Sequence, residues 1–269
     1  MAELRLTELW RYPVKSMRGD RHAALRVDAR GFCSDRRWML VGPDGRFLTQ
    51  RQLPRMALIN TQLVESADGD RLTLSLGSGE HCQVTVGPAP ELIDVSVWGD
   101  SCQGLAVGEA VDAWLSDFLH QPCRLVMFPE QQVRAVDPHY ASPRDQVGFA
   151  DGFPFLLISQ ASLDELNRRL KNPLSMQRFR PNLVVDGCEP HAEDGWKRIR
   201  IGEIEFRVAK PCSRCPIPTI DPLTAERGAE PLRTLREYRY WDNRIWFGQN
   251  LLHHGSGELH EGMRVEVLE

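Results

Sequence analysis

The chain has 269 residues, of which 42% are hydrophobic and 26% are charged, and its formal net charge is −4. This length allows one large core or two smaller ones, because single cores stop growing at roughly 250–300 residues. The N-terminal stretch MAELRLTELWRYPVK has no basic segment followed by an apolar one. The sequence therefore predicts neither a secretory signal nor a membrane span, and the expected location is the cytoplasm.

Positive charge is concentrated near the N-terminus. Residues 1–55 contain twelve Lys and Arg but six Asp and Glu, so the rest of the chain carries −10. A locally cationic segment can bind phosphate or nucleic acid, or can simply face water. Nucleic-acid binding is disfavoured, because the chain has neither a recognised binding motif nor an overall basic balance.

The first 90 residues have the pattern of antiparallel β-structure. Turn signals occur in GPDG at 42–45 and ADGD at 67–70, and RLTLSL at 71–76 alternates apolar and polar residues. Pro88, Pro90 and the polar residues after them predict a boundary. We therefore expect an N-terminal β-barrel-like domain over 1–90 and a second domain over 91–269.

Helical patterns are few. The segment GEAVDAWLSDFLHQ places apolar residues on one stripe at 110, 111, 114, 115, 118 and 119. In SLDELNRRLK, Ser162 and Glu165 have the spacing of a capping box. A third helix is expected around PLRTLREYR. Strands are predicted in FPFLLI, PNLVV, EIEFRV and MRVEVLE, so the fold class is mainly β with a few helices (α+β), barrel-like in two parts.

Seven cysteines occur, and five of them are scattered singly. An odd, scattered set does not indicate a disulfide framework, so reduced thiols are expected. The single residues are interpreted as small buried apolar side chains. The remaining two, Cys212 and Cys215, form a CxxC pair among three prolines; the single residues are Cys33, Cys82, Cys102, Cys123 and Cys188.

Four interpretations of the CxxC pair remain open from the residues alone. A zinc site needs about four ligands, and no second CxxC or paired His is present. A thioredoxin-type redox pair needs a helix N-terminus at the first thiol, but Pro216 and Pro218 disfavour a helix through CPIPTID. Two inert thiols are a third interpretation. The fourth is a thiolate on a rigid, non-helical loop that binds a soft metal centre in a cofactor.

Seven blocks along the chain resemble the MOSC-domain molybdenum enzymes, and more narrowly the bacterial and mitochondrial amidoxime-reducing group. That group pairs an N-terminal β-barrel domain with a MOSC domain. Each block alone is weak, but their ordered combination is specific and spans nearly the whole chain. The blocks are YPVKS (12–16), SDRRW (34–38), TQRQLPR (49–55), PFLLIS (154–159), FRPN (179–182), PCSRCPIPTIDP (211–222) and FGQN (247–250).

The resemblance implies a molybdenum cofactor, in which a pterin dithiolene holds the metal and one protein thiolate completes its ligands. The thiolate maps to Cys215, as metal ligand and catalytic residue, and the role of Cys212 is left open. Soft thiolate ligation of molybdenum is chemically reasonable. The positions that match cofactor contacts of the family are Lys15, Ser16, Arg36, Arg180, Asn182, Ser213 and Arg214, the last two through their backbone N–H groups.

Other residues beside the motifs keep structural interpretations. Arg51 and Arg55 could contact the cofactor or stabilise the barrel and the domain contact. Tyr12, Trp38 and Phe247 are expected in the core or the pocket wall.

The activity implied by the resemblance is reduction of N-hydroxylated compounds, such as amidoximes and hydroxylaminopurines, to amidines and amines. Some bacterial relatives carry a C-terminal [2Fe–2S] domain, but this sequence has no CxxxxCxxC run. A separate or missing iron–sulfur or flavin donor is therefore expected. The alternative function is cofactor binding or sulfur transfer in cofactor sulfuration, because MOSC domains also occur in molybdenum-cofactor sulfurases. A binding-only role, as cofactor carrier, is a third interpretation.

Overall fold

The computed structural model describes residues 3–65 and 70–269. Within these ranges the chain forms three α-helices, α1 Glu109–Leu119, α2 Gln160–Arg169 and α3 Leu232–Tyr238. The same residues form nineteen strands: β1 Arg5–Arg11, β2 Asp20–His22, β3 Ala24–Asp28, β4 Gly31–Phe32, β5 Trp38–Val41, β6 Asn60–Val64, β7 Arg71–Ser75, β8 His81–Val84, β9 Leu92–Val97, β10 Asp100–Ala106, β11 Arg124–Met127, β12 Phe155–Ser159, β13 Leu183–Asp186, β14 Arg198–Ile201, β15 Ile204–Ser213, β16 Tyr240–Trp241, β17 Arg244–His254, β18 Gly257–His260 and β19 Val265–Val267.

The largest sheet has nine strands and joins the N-terminal strand to the second half of the chain. Its order is β19-β14-β15-β17-β12-β13-β1-β2, and β16 pairs with β17 at the side. Its pairs are antiparallel except β12 with β13, which are parallel and connected through α2. A parallel pair needs such a crossover, because a hairpin cannot join two strands that run the same way.

Three smaller sheets complete the mainly β architecture that the sequence predicts. Their orders are β5-β11-β10-β9, β18-β3-β4 and β6-β7-β8. The first of them joins β5 to strands beyond residue 91, so hydrogen bonds cross the expected boundary. The division into 1–90 and 91–269 stays a prediction.

Helix α1 buries the stripe that its apolar spacing predicts. Val111, Leu115 and Leu119 are buried in the helix. They join a core formed with β5, β6, β7 and β8, against which Trp114 and Phe118 also pack. Burying each aliphatic side chain contributes about 1.5–3 kcal/mol, so this face accounts for the position of the helix on the smaller sheets.

Helix α2 begins three residues earlier than its predicted capping box. Ser159 is the N-cap, and its side chain accepts a hydrogen bond from the backbone N–H of Ser162. The assignment of Ser162 as the cap is therefore wrong. The hydroxyl of Ser162 instead bonds to Glu193, a buried carboxylate from a later turn, at 2.8 Å.

The predicted turn at GPDG is present. Gly45 donates its N–H to Gly42 across the turn at 3.0 Å. Its φ of +73° and a Cβ that would lie 2.7 Å from the carbonyl oxygen of Asp94 explain the need for glycine. In the other predicted turn, ADGD, residues 67–69 lie outside the described residues. No helix among the described residues is long and apolar enough to cross a bilayer.

Candidate active site

A cleft of about 170 Å³ at the end of β15 gathers side chains from distant parts of the chain. Its size is below the 300–1,000 Å³ of most ligand pockets, so a pterin-sized group would extend to its open side. The cleft is lined by every residue that the sequence predicts for the site: Lys15, Ser16, Arg36, Arg180, Asn182, Ser213, Arg214 and Cys215.

The CxxC pair lies where β15 leaves the large sheet. Strand β15 ends at Ser213, and a short 3₁₀ turn at Ile217–Thr219 follows, with Pro216 at its N-cap. Cys212 lies in β15, and three residues of 3₁₀ turn are not the helix that a thioredoxin-type pair requires. The expectation that no α-helix runs through CPIPTID is confirmed. Both Cys212 and Cys215 are free, half-buried thiols.

Arg214 occupies the position between the thiols in a way that differs from the sequence prediction. Its backbone N–H donates to the carbonyl of Ile245 at 2.8 Å, because the sheet pairing extends past β15. That N–H is therefore not free for a cofactor. The guanidinium instead donates to Cys212 Sγ at 3.2 Å and to the carbonyl of Phe179 at 2.8 Å.

Two arginines flank the ring of Tyr12 on the cleft wall. The guanidinium carbons of Arg36 and Arg180 lie 4.3 and 4.2 Å from the ring centroid. A ring face attracts cations, so Tyr12 holds two like charges beside one cleft. Burial lowers the pKa of Arg180 to about 10. Its Nη2 is buried and has no hydrogen-bond partner among the described residues.

Backbone conformation also singles out this region. Ser16, Arg36 and Arg180 have φ values of 64°, 48° and 57°, in the left-handed region. Each such non-glycine residue costs about 1–3 kcal/mol and persists only where its surroundings enforce it. Three of them in one cleft is consistent with a backbone shaped for a ligand.

Asn182 is saturated with protein contacts. Its amide nitrogen donates to the carbonyl of Trp10 and to Asp35 Oδ2, both at 3.2 Å. Its amide oxygen accepts from Arg36 Nη1 at 3.0 Å and from the N–H of Leu156 at 3.3 Å. A side-chain amide has two donors and two acceptor sites, and all four are used here. The side chain therefore orients Arg36, which also forms an ion pair with Asp35.

Lys15 is buried, with 4% of its surface exposed. Its ammonium donates to the carbonyl of Phe149 at 2.7 Å and pairs with Asp151. Burial lowers the pKa of Lys15, and the neighbouring carboxylate only partly opposes this. Since an ammonium has three N–H donors, these two contacts leave a third for a ligand.

Asp151 and Gln50 belong to the site, although the sequence did not single them out. Asp151 lines the cleft with Lys15. Gln50 is buried and donates to the carbonyl of Ser16 at 2.7 Å, which holds the strained loop. Gln50 lies in the TQRQLPR block, so the family resemblance was the one signal for it. Asp151 has no local pattern that marks it.

The arginines left open by the sequence have structural contacts. The guanidinium of Arg51 lies 4.4 Å from the ring centroid of Trp98, and that of Arg55 lies 4.4 Å from Phe118. Neither residue lines the cleft. The aromatic residues beside the motifs belong to the core, as predicted: Tyr12, Trp38 and Phe247 are at most 4% exposed.

The five single cysteines are free thiols, but they are less buried than expected. Cys123 alone among them is buried, and the other four are half-buried. Burial raises the pKa of the Cys33 and Cys188 thiols to about 11. A thiol with a raised pKa is a poor nucleophile and a poor metal ligand at neutral pH.

The donor set of the cleft fits a phosphorylated group ligated by a thiolate. Lys15, Arg36, Arg180 and Arg214 supply positive charge, whereas Asp151 is the one carboxylate in the lining. Buried nitrogens without a partner among the described residues, Arg180 Nη2 and Arg214 Nε, point to an acceptor that the protein does not supply. A half-buried cysteine at the same cleft offers a soft ligand.

Comparison with known proteins gives two domain matches. Residues 3–122 match the family described as MOSC N-terminal beta barrel domain, and residues 144–266 match the MOSC domain. The human protein named mitochondrial amidoxime-reducing component 1 is 38% identical over 98% of this chain and 82% of its own length. The mouse protein of that name is 36% identical over 88% of this chain and 72% of its own length.

A second kind of relative shares less of its length. The zebrafish (Danio rerio) protein named molybdenum cofactor sulfurase is 34% identical over 93% of this chain but 32% of its own length. The amidoxime-reducing components match over most of both chains. This chain therefore belongs to the amidoxime-reducing component family of MOSC-domain proteins.

Proposed function

We propose that this protein is a molybdenum-cofactor-dependent reductase of N-hydroxylated compounds, such as amidoximes and hydroxylaminopurines. The observation that carries the proposal is the convergence of Cys215 with Lys15, Arg36 and Arg180 on one cationic cleft. The names of its relatives support the same chemistry. In the reaction, two electrons and two protons convert the N–OH group to N–H and release its oxygen as water.

Each cleft residue has a role in this proposal. Cys215 is the thiolate ligand, and the cationic side chains bind the pterin phosphate through charge-assisted hydrogen bonds. The hydroxyl of Ser16 and the backbone N–H of Ser213 contribute further hydrogen bonds. Asn182 acts indirectly by orienting Arg36. The cofactor, when bound, supplies the two-electron chemistry, and the protein supplies binding and orientation.

The reductant in this proposal is an iron–sulfur or flavin centre, either in a separate redox protein or in a domain outside this sequence, because no CxxxxCxxC run lies within residues 1–269. An iron–sulfur or flavin protein can supply the two electrons. The protein is expected to work in the cytoplasm, which fractionation of cells that express it will test.

The decisive activity experiment replaces each cysteine of the pair in protein loaded with cofactor. We expect Cys215→Ser to abolish benzamidoxime reduction, because a neutral hydroxyl is a poor substitute for a soft thiolate. Cys212→Ser is the matched control and should change activity less, since Cys212 Sγ already accepts from Arg214. Full activity of Cys215→Ser with molybdenum retained contradicts the proposed ligand.

Cofactor sulfuration is the second candidate function, and the similarity to the zebrafish sulfurase favours it. In that role a thiol of the CxxC pair would carry a persulfide. Mass spectrometry of protein isolated without reductant distinguishes the two. The reductase proposal predicts no added sulfur atom on Cys212 or Cys215, and a persulfide on either one supports sulfuration.

A further inference from the structure

A second concave surface continues from the cleft past Cys215. It encloses about 370 Å³ and shares Ser213, Arg214 and Cys215 with the cleft. We call it the arginine groove, defined by Arg214, Cys215, Arg236, Tyr240, Asn243 and Arg244. A molecule that reacts in the cleft beside Cys215 therefore has room to place its distal end in this groove.

A tight hairpin holds the outer wall of the arginine groove. Strands β16 and β17 are joined by Asp242 and Asn243, with φ values of 50° and 58°. Two positive φ values are the signature of a type I′ turn, which matches the twist of a β-hairpin. Arg244 therefore lies on a short, well-defined hairpin, so little backbone ordering is needed when a ligand binds beside it.

All charged side chains that define the groove are positive. Arg236 lies 4.8 Å from the ring centroid of Tyr240, and both side chains are exposed. Within residues 3–65 and 70–269, neither Arg236 nor Arg244 has a carboxylate within ion-pair distance. By contrast, the neighbouring Arg233 pairs with Glu230, and Arg239 pairs with Asp194.

The nearest carboxylates along the chain do not line the groove. Glu237 and Asp242 are adjacent in sequence to Arg236 and Asn243, but they are not among the lining residues. Two exposed guanidinium groups, those of Arg236 and Arg244, present planar donor forks that suit the oxygens of a phosphate. The guanidinium of Arg214 is already engaged with Cys212 and Phe179.

We propose that the arginine groove binds the phosphate of a phosphorylated N-hydroxylated nucleoside while its N-hydroxylated base lies at Cys215. This inference rests on the proposed reductase function and narrows its substrate class. An N-hydroxylated nucleotide is both planar at the reacting end and anionic at the other. The geometry thus favours nucleotides over the uncharged nucleosides and free bases.

The test compares two substrates in cofactor-loaded protein, 6-hydroxylaminopurine riboside and its 5′-monophosphate. The measured quantity is the ratio of kcat/KM for the monophosphate to kcat/KM for the nucleoside. We expect Arg236→Gln and Arg244→Gln each to lower this ratio about tenfold, equivalent to ~1.4 kcal/mol. Arg233→Gln on the same helix is the matched control, and its ratio should equal that of the wild type. Added salt should lower the wild-type ratio, because exposed charges are screened.

Direct binding separates this inference from the proposed function. Calorimetry with adenosine 5′-monophosphate should show weaker binding to Arg236→Gln and Arg244→Gln than to wild type and Arg233→Gln. If binding follows this pattern but neither substrate is reduced, the groove stands and the reductase proposal fails. If the ratio and the binding are the same in all four proteins, the groove assignment is wrong. The groove assignment is also wrong if both variants slow electron delivery from a redox protein and lower turnover of the two substrates equally. In that case the surface is a docking site for the electron donor.

Discussion

At the residue scale, Lys15 is a positive charge whose burial in the site is unfavourable. The ammonium is buried beside Arg36 and Arg134 as well as Asp151, and burial lowers its pKa from the ordinary 10.5. A folded-state pKa below the unfolded value means that the unfolded chain binds the extra proton. Folding is therefore penalised at neutral pH, and this penalty is relieved as the pH rises through the lowered pKa toward 10.5.

The pH dependence of unfolding tests this reasoning. We expect the stability of cofactor-free wild type, relative to Lys15→Met, to increase between pH 7 and pH 10, because the variant has lost the titrating group. Urea unfolding of both proteins at several pH values measures the difference directly. A difference that is constant or falls with rising pH contradicts the buried, destabilised charge.

Asn182 gives a second prediction at this scale, because all four bonding positions of its amide are used inside the protein. Asn182→Ala should destabilise the fold by about 1–3 kcal/mol, since it leaves buried groups without partners. It should also lower the molybdenum content by misplacing Arg36. Asn250→Ala is the matched control for stability, because Asn250 lines the same cleft with one long bond of 3.4 Å to Pro211. Equal unfolding free energies for the two variants contradict the positioning role.

The N-terminus of α2 shows how an element depends on a distant residue. Glu193 is 1% exposed and accepts from the N–H of Ser159 at 3.1 Å and from the hydroxyl of Ser162 at 2.8 Å. Its negative charge lies at the positive end of the helix dipole. The carboxylate thus caps a helix that begins thirty-three residues earlier in the chain.

Removing this cap should be costly. Glu193→Ala is expected to lower the free energy of unfolding by about 2–3 kcal/mol, because it strands the buried N–H of Ser159. Glu165→Ala removes a half-buried carboxylate at the surface of the same helix, paired with Arg168 and Arg169; it is the control and should have a much smaller effect. Denaturant unfolding monitored by circular dichroism compares them. Similar losses in both variants would show that the buried cap is unimportant.

The elements also show what local patterns can and cannot predict. The apolar stripe of α1 predicted its buried face, because helix periodicity is a local property. The cap of α2 was misassigned, because Ser159 and Ser162 are both suitable residues and the end of β12 decides between them. The backbone N–H of Arg214 was expected to face a cofactor, but sheet pairing with Ile245 takes it. Such pairing depends on register, which the sequence around the CxxC does not specify.

At the scale of the whole molecule, the site exists only because the large sheet brings distant segments together. Lys15 and Asp151 are 136 residues apart in the chain but form an ion pair. Family resemblance predicted the first of them, whereas no pattern predicted the second. The sequence likewise did not predict a role for Arg236 of α3 or Arg244 of the hairpin, because exposed arginines are common. Only the folded surface shows that both residues lie beside Cys215.

The most direct test of the central claim is the molybdenum content of protein expressed in a host that makes the pterin cofactor. Wild type, Cys215→Ser and Arg180→Gln are compared by elemental analysis after folding is verified. We predict near-equimolar molybdenum in wild type, loss or altered ligation in Cys215→Ser, and reduced content in Arg180→Gln, whose buried guanidinium faces the cleft. Absence of molybdenum from wild type, with cofactor synthesis confirmed, or equal content in all three proteins would contradict the assignment of this cleft as the cofactor site.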